Sequence, residues 1–244
     1  MDRSEEKKIL ILGGNSDVAK ECIRLYLEKG YYVMAASRDL ESIRKFLVDS
    51  KVDTSRVSLL YFDTVDFASH QLFYDELPKK PNIVVYAAGF LVQNTIAFDD
   101  FASTYQMINV NYAGALSILN LIAMDETNLG LERIIGLSSL SGVRGRKSNF
   151  VYGSTKAAFT QYLAGLRQLL KDRNISVNVM VIGYINTKIN KGLDLNKNLM
   201  MEPDYVAKYV INAGRKFEII PNWKWKVIYN VVKFSPEFIV SKLP

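Results

Sequence analysis

Three observations on this chain predict an α/β fold built on a doubly wound parallel sheet of Rossmann type. Short apolar runs alternate with amphipathic helical stretches along nearly the whole length. The runs are continuously apolar and lack the strict alternation of half-exposed strands. Glycines or small polar residues follow directly on several of them. Continuous apolar strands imply a sheet covered on both faces, hence parallel strands, crossover helices and three α/β/α layers.

The elements follow in order. Residues 8–12 are a short apolar strand and 18–28 an amphipathic helix ended by Gly30. Residues 32–36 form a second strand, 40–48 a helix, 57–62 a third strand and 83–87 a fourth. Residues 101–124 read as one long helix or two abutting ones, and 133–137 as a fifth strand. A long helix over 152–171 precedes a sixth strand at 176–182. A helix over 203–213 has Pro203 in its first turn, and 217–220 suits a last strand. No Pro- or Gly-rich linker divides the chain, so we expect one domain over 1–221 and an amphipathic tail over 222–244.

Composition narrows the function classes. A chain of 244 residues that is 49% hydrophobic and 23% charged is globular and can bury one substantial core. The single cysteine, Cys22, excludes an internal disulfide, suits a reducing compartment and falls on a predicted apolar helix face. The single histidine, His70, cannot anchor a metal cluster or a His-based triad, and its polar surroundings place it at the surface. We expect no metal. The start of the chain is too short in apolar residues for a signal peptide or a span, and no run of about 18 apolar residues follows. The expected location is the cytoplasm or the cytoplasmic membrane face. A net charge of +6 without a dense basic stripe favours anionic ligands over nucleic acid.

The chemistry concentrates in Tyr152-Gly153-Ser154-Thr155-Lys156, with Ser139 upstream. A Tyr and a Lys four residues apart share one helix face, and an ammonium beside a phenol lowers the tyrosine pKa toward neutrality. Such a tyrosine can move a proton, while a serine from a strand end holds the substrate oxygen. Ser139 is the favoured serine and Ser138 the alternative. Gly13, Asp63, Gly89, Ser139 and Gly183 each follow a predicted strand, where ligands bind in such sheets. After the first strand, Leu12-Gly13-Gly14-Asn15-Ser16-Asp17-Val18-Ala19 opens a helix and offers its N-terminus to a pyrophosphate.

With these motifs the chain resembles the short-chain dehydrogenase/reductase family in its compact form, over nearly all residues to Pro221. The resemblance implies an NADP(H)-dependent oxidoreductase acting on a ketone or alcohol, and a homodimer or homotetramer with 101–124 and 152–171 as candidate interface helices. In the family's glycine turn, Asp17 and Ala19 replace two glycines; we expect Asp17 to point away from the phosphates and cap the helix. Gly13, Asn15, Ser16, Asp17 and Val18 would line the cofactor. After the second strand no carboxylate precedes Arg38, so Ser37 and Arg38 suit a 2′-phosphate. Asp63, followed by Thr64, matches the family's adenine contact. Ala87-Ala88-Gly89 keeps the family's Ala-Gly pair without its asparagines. Gly183, Ile185 and Thr187 match the segment that holds the nicotinamide, with Ile182 in place of a proline. Asn111 matches the family's helix asparagine, which supports a water relaying protons through Lys156. Ser139, Tyr152, Lys156 and Asn111 are thus the candidate catalytic residues, and Tyr152 and Lys156 also face the cofactor.

The tail sets Trp223, Trp225, Val227, Ile228, Val231, Val232 and Phe234 among Lys224, Lys226 and Lys233. That suits an interfacial helix on anionic lipid, or equally a helix packed on its own core or on a partner subunit. With the Gly-Gly-Asn-Ser-Asp-Val-Ala turn, the tail resembles decaprenylphosphoryl-keto-ribose reductases, a subgroup of cell-envelope glycan synthesis, and implies a lipid-linked keto-sugar. A ketoacyl or other lipid-ketone reductase, a soluble sugar-ketone reductase and a non-catalytic NADP-binding regulator remain as alternatives. Residues 188–201 read as the substrate lid.

Overall fold

Strand β1 (Lys8–Leu12) lies at the centre of the molecule because all but its first residue are fully buried, so it needs neighbours on both edges and both faces. It pairs in parallel with β2 (Tyr32–Ser37) on one side and β4 (Ile83–Tyr86) on the other. The sheet continues outward to β3 (Val57–Tyr61) beyond β2, and to β5 (Arg133–Ser139), β6 (Ser176–Ile182) and β7 (Glu218–Ile219) beyond β4. The order β3-β2-β1-β4-β5-β6-β7 reverses direction at β1 and β4, which opens a crevice at their carboxyl ends. The structure is a computed structural model and describes residues 6–188 and 196–240.

Helices cover both faces. On one, α1 (Asp17–Glu28) packs on α2 (Leu40–Asp49) and on α8 (Pro203–Ile211). On the other, α3 (His70–Asp75) packs on α6 (Gly114–Met124), and α7 (Phe150–Leu169) lies on β5 and β6. Gly30, at φ +79°, lets the chain leave α1 for β2. Cys22 is wholly buried on the inner face of α1, and burial holds its thiol far above the ordinary range.

The sequence pattern located the strands to within two residues but passed over α3 and α4 (Asn94–Asp99), each six residues long. A six-residue helix has too few turns to express a 3.6-residue period. His70 is corrected: it is fully buried, its two ring nitrogens within hydrogen-bond distance of the Ser117 hydroxyl (2.8 Å) and the Asp63 carbonyl (3.0 Å), and stacked on Phe62. Its polar neighbours in sequence belong to the outer face of α3.

The stretch 101–124 is one rod: α5 (Phe101–Ile108), a π-helical segment (Asn109–Ala113) and α6. Among the described residues it is the one helix long and apolar enough to cross a membrane by length and composition, and half of its apolar window is buried inside the fold. Beyond β7, α9 (Trp223–Phe234) and α10 (Glu237–Val240) close the described chain. α9 buries Trp225, Tyr229 and Val232 against the body of the protein.

Candidate active site

The loops after β1, β2, β4, β5 and β6 converge at one edge of the sheet. Gly13 turns the chain out of β1 at φ +82°, and its amide and that of Gly14 both donate to the Ala36 carbonyl at 2.9 Å. A Cβ at Gly13 would strike the backbone of Ala88, so the glycine lets the β1 and β4 loops touch. Ser16 is the N-cap of α1 but makes no side-chain cap hydrogen bond. Asp17 does not cap either, which corrects the expectation. Its carboxylate accepts from the Lys188 amide at 2.9 Å and lies 3.9 Å from the Lys188 ammonium. The start of α1 is thus left without a side-chain cap, its dipole free to attract an anion. Val18 is buried, so only its backbone can face the crevice. Asn15 donates weakly to Asp39 at 3.4 Å, while its buried Oδ1 has no partner.

At the rim, Ser37 is buried with its hydroxyl near the Asp39 amide (3.4 Å), and Asp39 caps α2 through the Ser42 amide. The Arg38 side chain is exposed and 3.9 Å from the Asp63 carboxylate. Asp63 also accepts from the Val65 amide at 3.1 Å. Thr64 is buried against Gly114, where a Cβ would collide with it. Thr64 therefore braces the floor of the crevice. Tyr86 donates to the Val110 carbonyl of the π segment at 2.6 Å.

Ala87, Ala88 and Gly89 leave β4 beneath the π segment. Asn111 is fully buried there, and its amide is used up by protein: Oδ1 accepts from the Phe90 amide, and Nδ2 donates to the Phe90 carbonyl and to Thr155 Oγ1. A Cβ at Gly89 would lie 3.7 Å from Asn111 Oδ1 and 3.8 Å from Lys156 Nζ.

Ser138 and Ser139 end β5 and, as neighbours in a strand, point to opposite faces. Ser138 turns into α7, bonding the Thr160 hydroxyl at 2.8 Å and the Lys156 carbonyl at 3.2 Å. Ser139 turns into the crevice, accepts from the Ser141 amide at 3.2 Å and faces the Tyr152 phenol, whose pKa it lowers. Geometry therefore separates the two serines that the sequence left open.

Tyr152 and Lys156 stand one turn apart on α7. Lys156 is buried, donates to the Leu137 carbonyl at 3.1 Å and lies 5.9 Å from the Tyr152 ring centre. Burial pulls the ammonium down to about 8. Burial also pushes the Tyr152 phenol up to about 12, against the opposing pull of the neighbouring Ser139 hydroxyl. This corrects the expectation of a tyrosine brought toward neutrality by the lysine. The ammonium donates to Leu137, and burial holds the phenol as an acid in the protein alone.

After β6, Gly183 meets the tail. A Cβ there would run into the indole of Trp225, whose Nε1 donates to the Leu199 carbonyl at 2.8 Å. Tyr184 packs edge-on against the same ring at 5.0 Å. Ile185 is buried and bridges to Met201, and Thr187 buries a hydroxyl that has no partner. Of the lid stretch 188–201, residues 189–195 lie outside the described residues. Sequence reasoning missed Trp225 and Arg144 as walls of this region. Arg144, in the loop after Ser139, reaches the carbonyls of Lys233 and Ser235 and the Glu237 carboxylate, each at 3.3 Å. Neither carries a local motif, because each acts across long sequence separation. Among the described residues no cluster of His, Cys, Asp and Glu could hold a metal ion.

A family model described as short chain dehydrogenase matches residues 7–198. The whole chain is 24% identical to an uncharacterized oxidoreductase of Mycobacterium tuberculosis (strain H37Rv), covering 100% of both. It is 26% identical to a 3-oxoacyl-[acyl-carrier-protein] reductase of Bos taurus, over 80% of this chain and 81% of that protein. Among solved structures, ElxO with NADP bound superposes with a TM-score of 0.80 at 20% identity, over 91% of this chain and 99% of that one. A short chain dehydrogenase from Burkholderia cenocepacia J2315 in complex with NADP gives a TM-score of 0.81 at 16% identity, covering 96% of each.

Proposed function

The chain belongs to the short-chain dehydrogenase family, and on that premise we propose that it is an NADP(H)-dependent oxidoreductase interconverting a ketone and an alcohol. One observation carries the reading. Ser139 and Tyr152 stand side by side at the carboxyl edge of the sheet, with Lys156 buried one turn further along α7.

NADP(H) fits the residues present. The uncapped start of α1 behind the Gly13 turn suits the pyrophosphate, and the exposed Arg38 with Ser37 suits the 2′-phosphate. Asp63, beside Arg38, would contact the adenine. The unpartnered buried Oδ1 of Asn15 and hydroxyl of Thr187 are polar groups that a ligand would satisfy. The backbones of Ala87, Ala88, Gly89, Gly183 and Ile185 would wall the nicotinamide side. When bound, the nicotinamide supplies or takes up the hydride at the carbonyl carbon.

The chain's own residues do the rest. Ser139 Oγ and the Tyr152 hydroxyl hold the carbonyl oxygen between them. Tyr152, protonated at neutral pH, gives its proton to that oxygen as the alcohol forms. Lys156, with an ammonium near 8, would return the proton to the phenol, and Asn111 holds the β4 loop and α7 in register around it.

For the substrate we favour a lipid-linked keto-sugar, on the likeness of the glycine turn and tail to the reductases of cell-envelope glycan synthesis. A ketoacyl substrate is the second reading, favoured by the similarity to the bovine 3-oxoacyl carrier-protein reductase. In either case 1–221 would be the catalytic domain, cytoplasmic and on the membrane's inner face where its substrate is lipid-linked. A homodimer or homotetramer would use the exposed Phe101, Tyr105 and Ile108 of α5 together with α7.

The test is NADPH oxidation by wild type and Tyr152→Phe, offered a lipid extract and then an aqueous metabolite extract. Turnover with the lipid extract that is lost in the variant supports the lipid-linked ketone. Turnover with the aqueous extract alone removes the lipid from the proposal. Turnover that survives in Tyr152→Phe overturns the mechanism.

A further inference from the structure

Helix α9 has two apolar faces, and only one of them meets the protein. Trp225, Tyr229 and Val232 are buried. On the opposite side Trp223, Val227, Val231 and Phe234 are exposed, Trp223 at 70% and Phe234 at 74%. At the helical rotation of about 100° per residue these four fall within about 80° of one another, diametrically opposite the buried three. The ridge continues into Phe238 and Ile239 of α10, also exposed.

The charges along α9 are of one sign. No acidic residue occurs between Asn222 and Pro236. Lys224 and Lys226 are exposed and flank the stripe on either side. Lys233 is turned away to Glu218 and Tyr229, and Glu237 is paired with Arg144.

We propose that this ridge is a docking surface for an anionic lipid bilayer, with α9 lying parallel to the membrane plane. Aromatic and aliphatic side chains between lysines match the acyl boundary and the headgroups above it. A second copy of the chain fits less well. Stable interfaces engage roughly 20–30 residues a side, and the ridge offers six apolar ones on two short helices. The inner face fixes the ridge to the site: Trp225 covers Gly183 and bonds Leu199, while Arg144 ties the end of α9 to the loop after Ser139. Docking therefore sets both loops at a constant height above the lipid. The surface does not depend on the catalytic reading, because it is argued from charge and exposure alone.

The experiment is sedimentation of the full chain with vesicles of phosphatidylcholine, with and without phosphatidylglycerol. The bound fraction should rise about tenfold with the anionic lipid and fall with added salt. It should drop about tenfold in Trp223→Ser/Phe234→Ser and in Lys224→Glu/Lys226→Glu, each checked for an unchanged melting temperature. Wild-type protein that ignores anionic vesicles, or variants that bind as well as wild type, would overturn the proposal. So would a Trp223→Ser/Phe234→Ser variant that turns an oligomer into a monomer while wild type binds no vesicles. Vesicle binding is read without turnover, so its loss and a loss of NADPH oxidation are separate results.

Discussion

Asn111 grips Phe90 by both of its backbone groups, accepting from the amide and donating to the carbonyl, each at 2.8 Å. Its remaining amide hydrogen goes to Thr155 Oγ1 at 3.0 Å. One side chain thus fastens the β4 loop, the π segment and α7 to one another. Asn111→Leu leaves the Phe90 amide and carbonyl without partners, at roughly 1–3 kcal/mol each where no water enters, while Thr155 keeps its bond to the Tyr152 carbonyl. We expect a fall in melting temperature of at least about 5 °C and weaker NADPH binding, checked by calorimetry and by cofactor fluorescence.

Tyr152→Phe removes the acid and leaves the ring in place. Turnover should fall by ~10²–10⁴-fold with NADPH affinity nearly unchanged, as steady-state rates and a fluorescence titration would show. A parallel loss of affinity would mean that the phenol holds the cofactor rather than the substrate.

Arg38→Ala takes the exposed guanidinium from the end of β2. A charge-assisted contact to a phosphate is worth about 1.5–3 kcal/mol, so NADPH should bind ~10–100-fold more weakly and NADH about as before. Comparison of the two dissociation constants checks this.

Lys156 makes stability depend on pH. Its folded value lies near 8, below the ordinary 10.5, because burial disfavours the charge. Between these values the unfolded chain binds more protons than the folded one, so stability rises with pH across that window. The full penalty applies below about 8 and disappears above 10.5. The rise is on the order of 3 kcal/mol. Denaturant titrations of wild type and Lys156→Met between pH 8 and 10 should show the slope in wild type and a flatter line in the variant.

Gly183→Ala tests the contact between the tail and the body. The new methyl group meets the Trp225 indole, which is buried and bonded to Leu199. Overpacking of this kind costs about 1–3 kcal/mol. The double variant Gly183→Ala/Trp225→Leu should recover part of that loss, read as melting temperature.

Much of this was legible in the sequence, and for definite reasons. Strands such as β6 sit in the core and are apolar from end to end, so their limits stand out. Ser139, Tyr152 and Lys156 lie on two adjacent elements at fixed spacing, and their meeting follows from strand and helix geometry. Nothing in the sequence marks a second constraint on Gly183, set by a tail tryptophan 42 positions later that leaves no room for a Cβ there. His70 was misplaced because burial of a lone polar residue depends on partners such as Ser117, 47 positions away. The Tyr152 acidity was misjudged because spacing reports proximity, whereas pKa follows desolvation and the direction in which the Lys156 ammonium points.

Cys22 gives the chain a clock of its own. It is the sole thiol, sealed on the inner face of the helix whose first turn opens the crevice, and burial keeps it from ionising. A thiol reagent can reach it only when α1 lifts from the sheet, so the labelling rate counts those openings. Anything that seats on the start of α1 must slow that count. Occupancy of the crevice can thus be timed in the native chain, with no substrate and no engineered label.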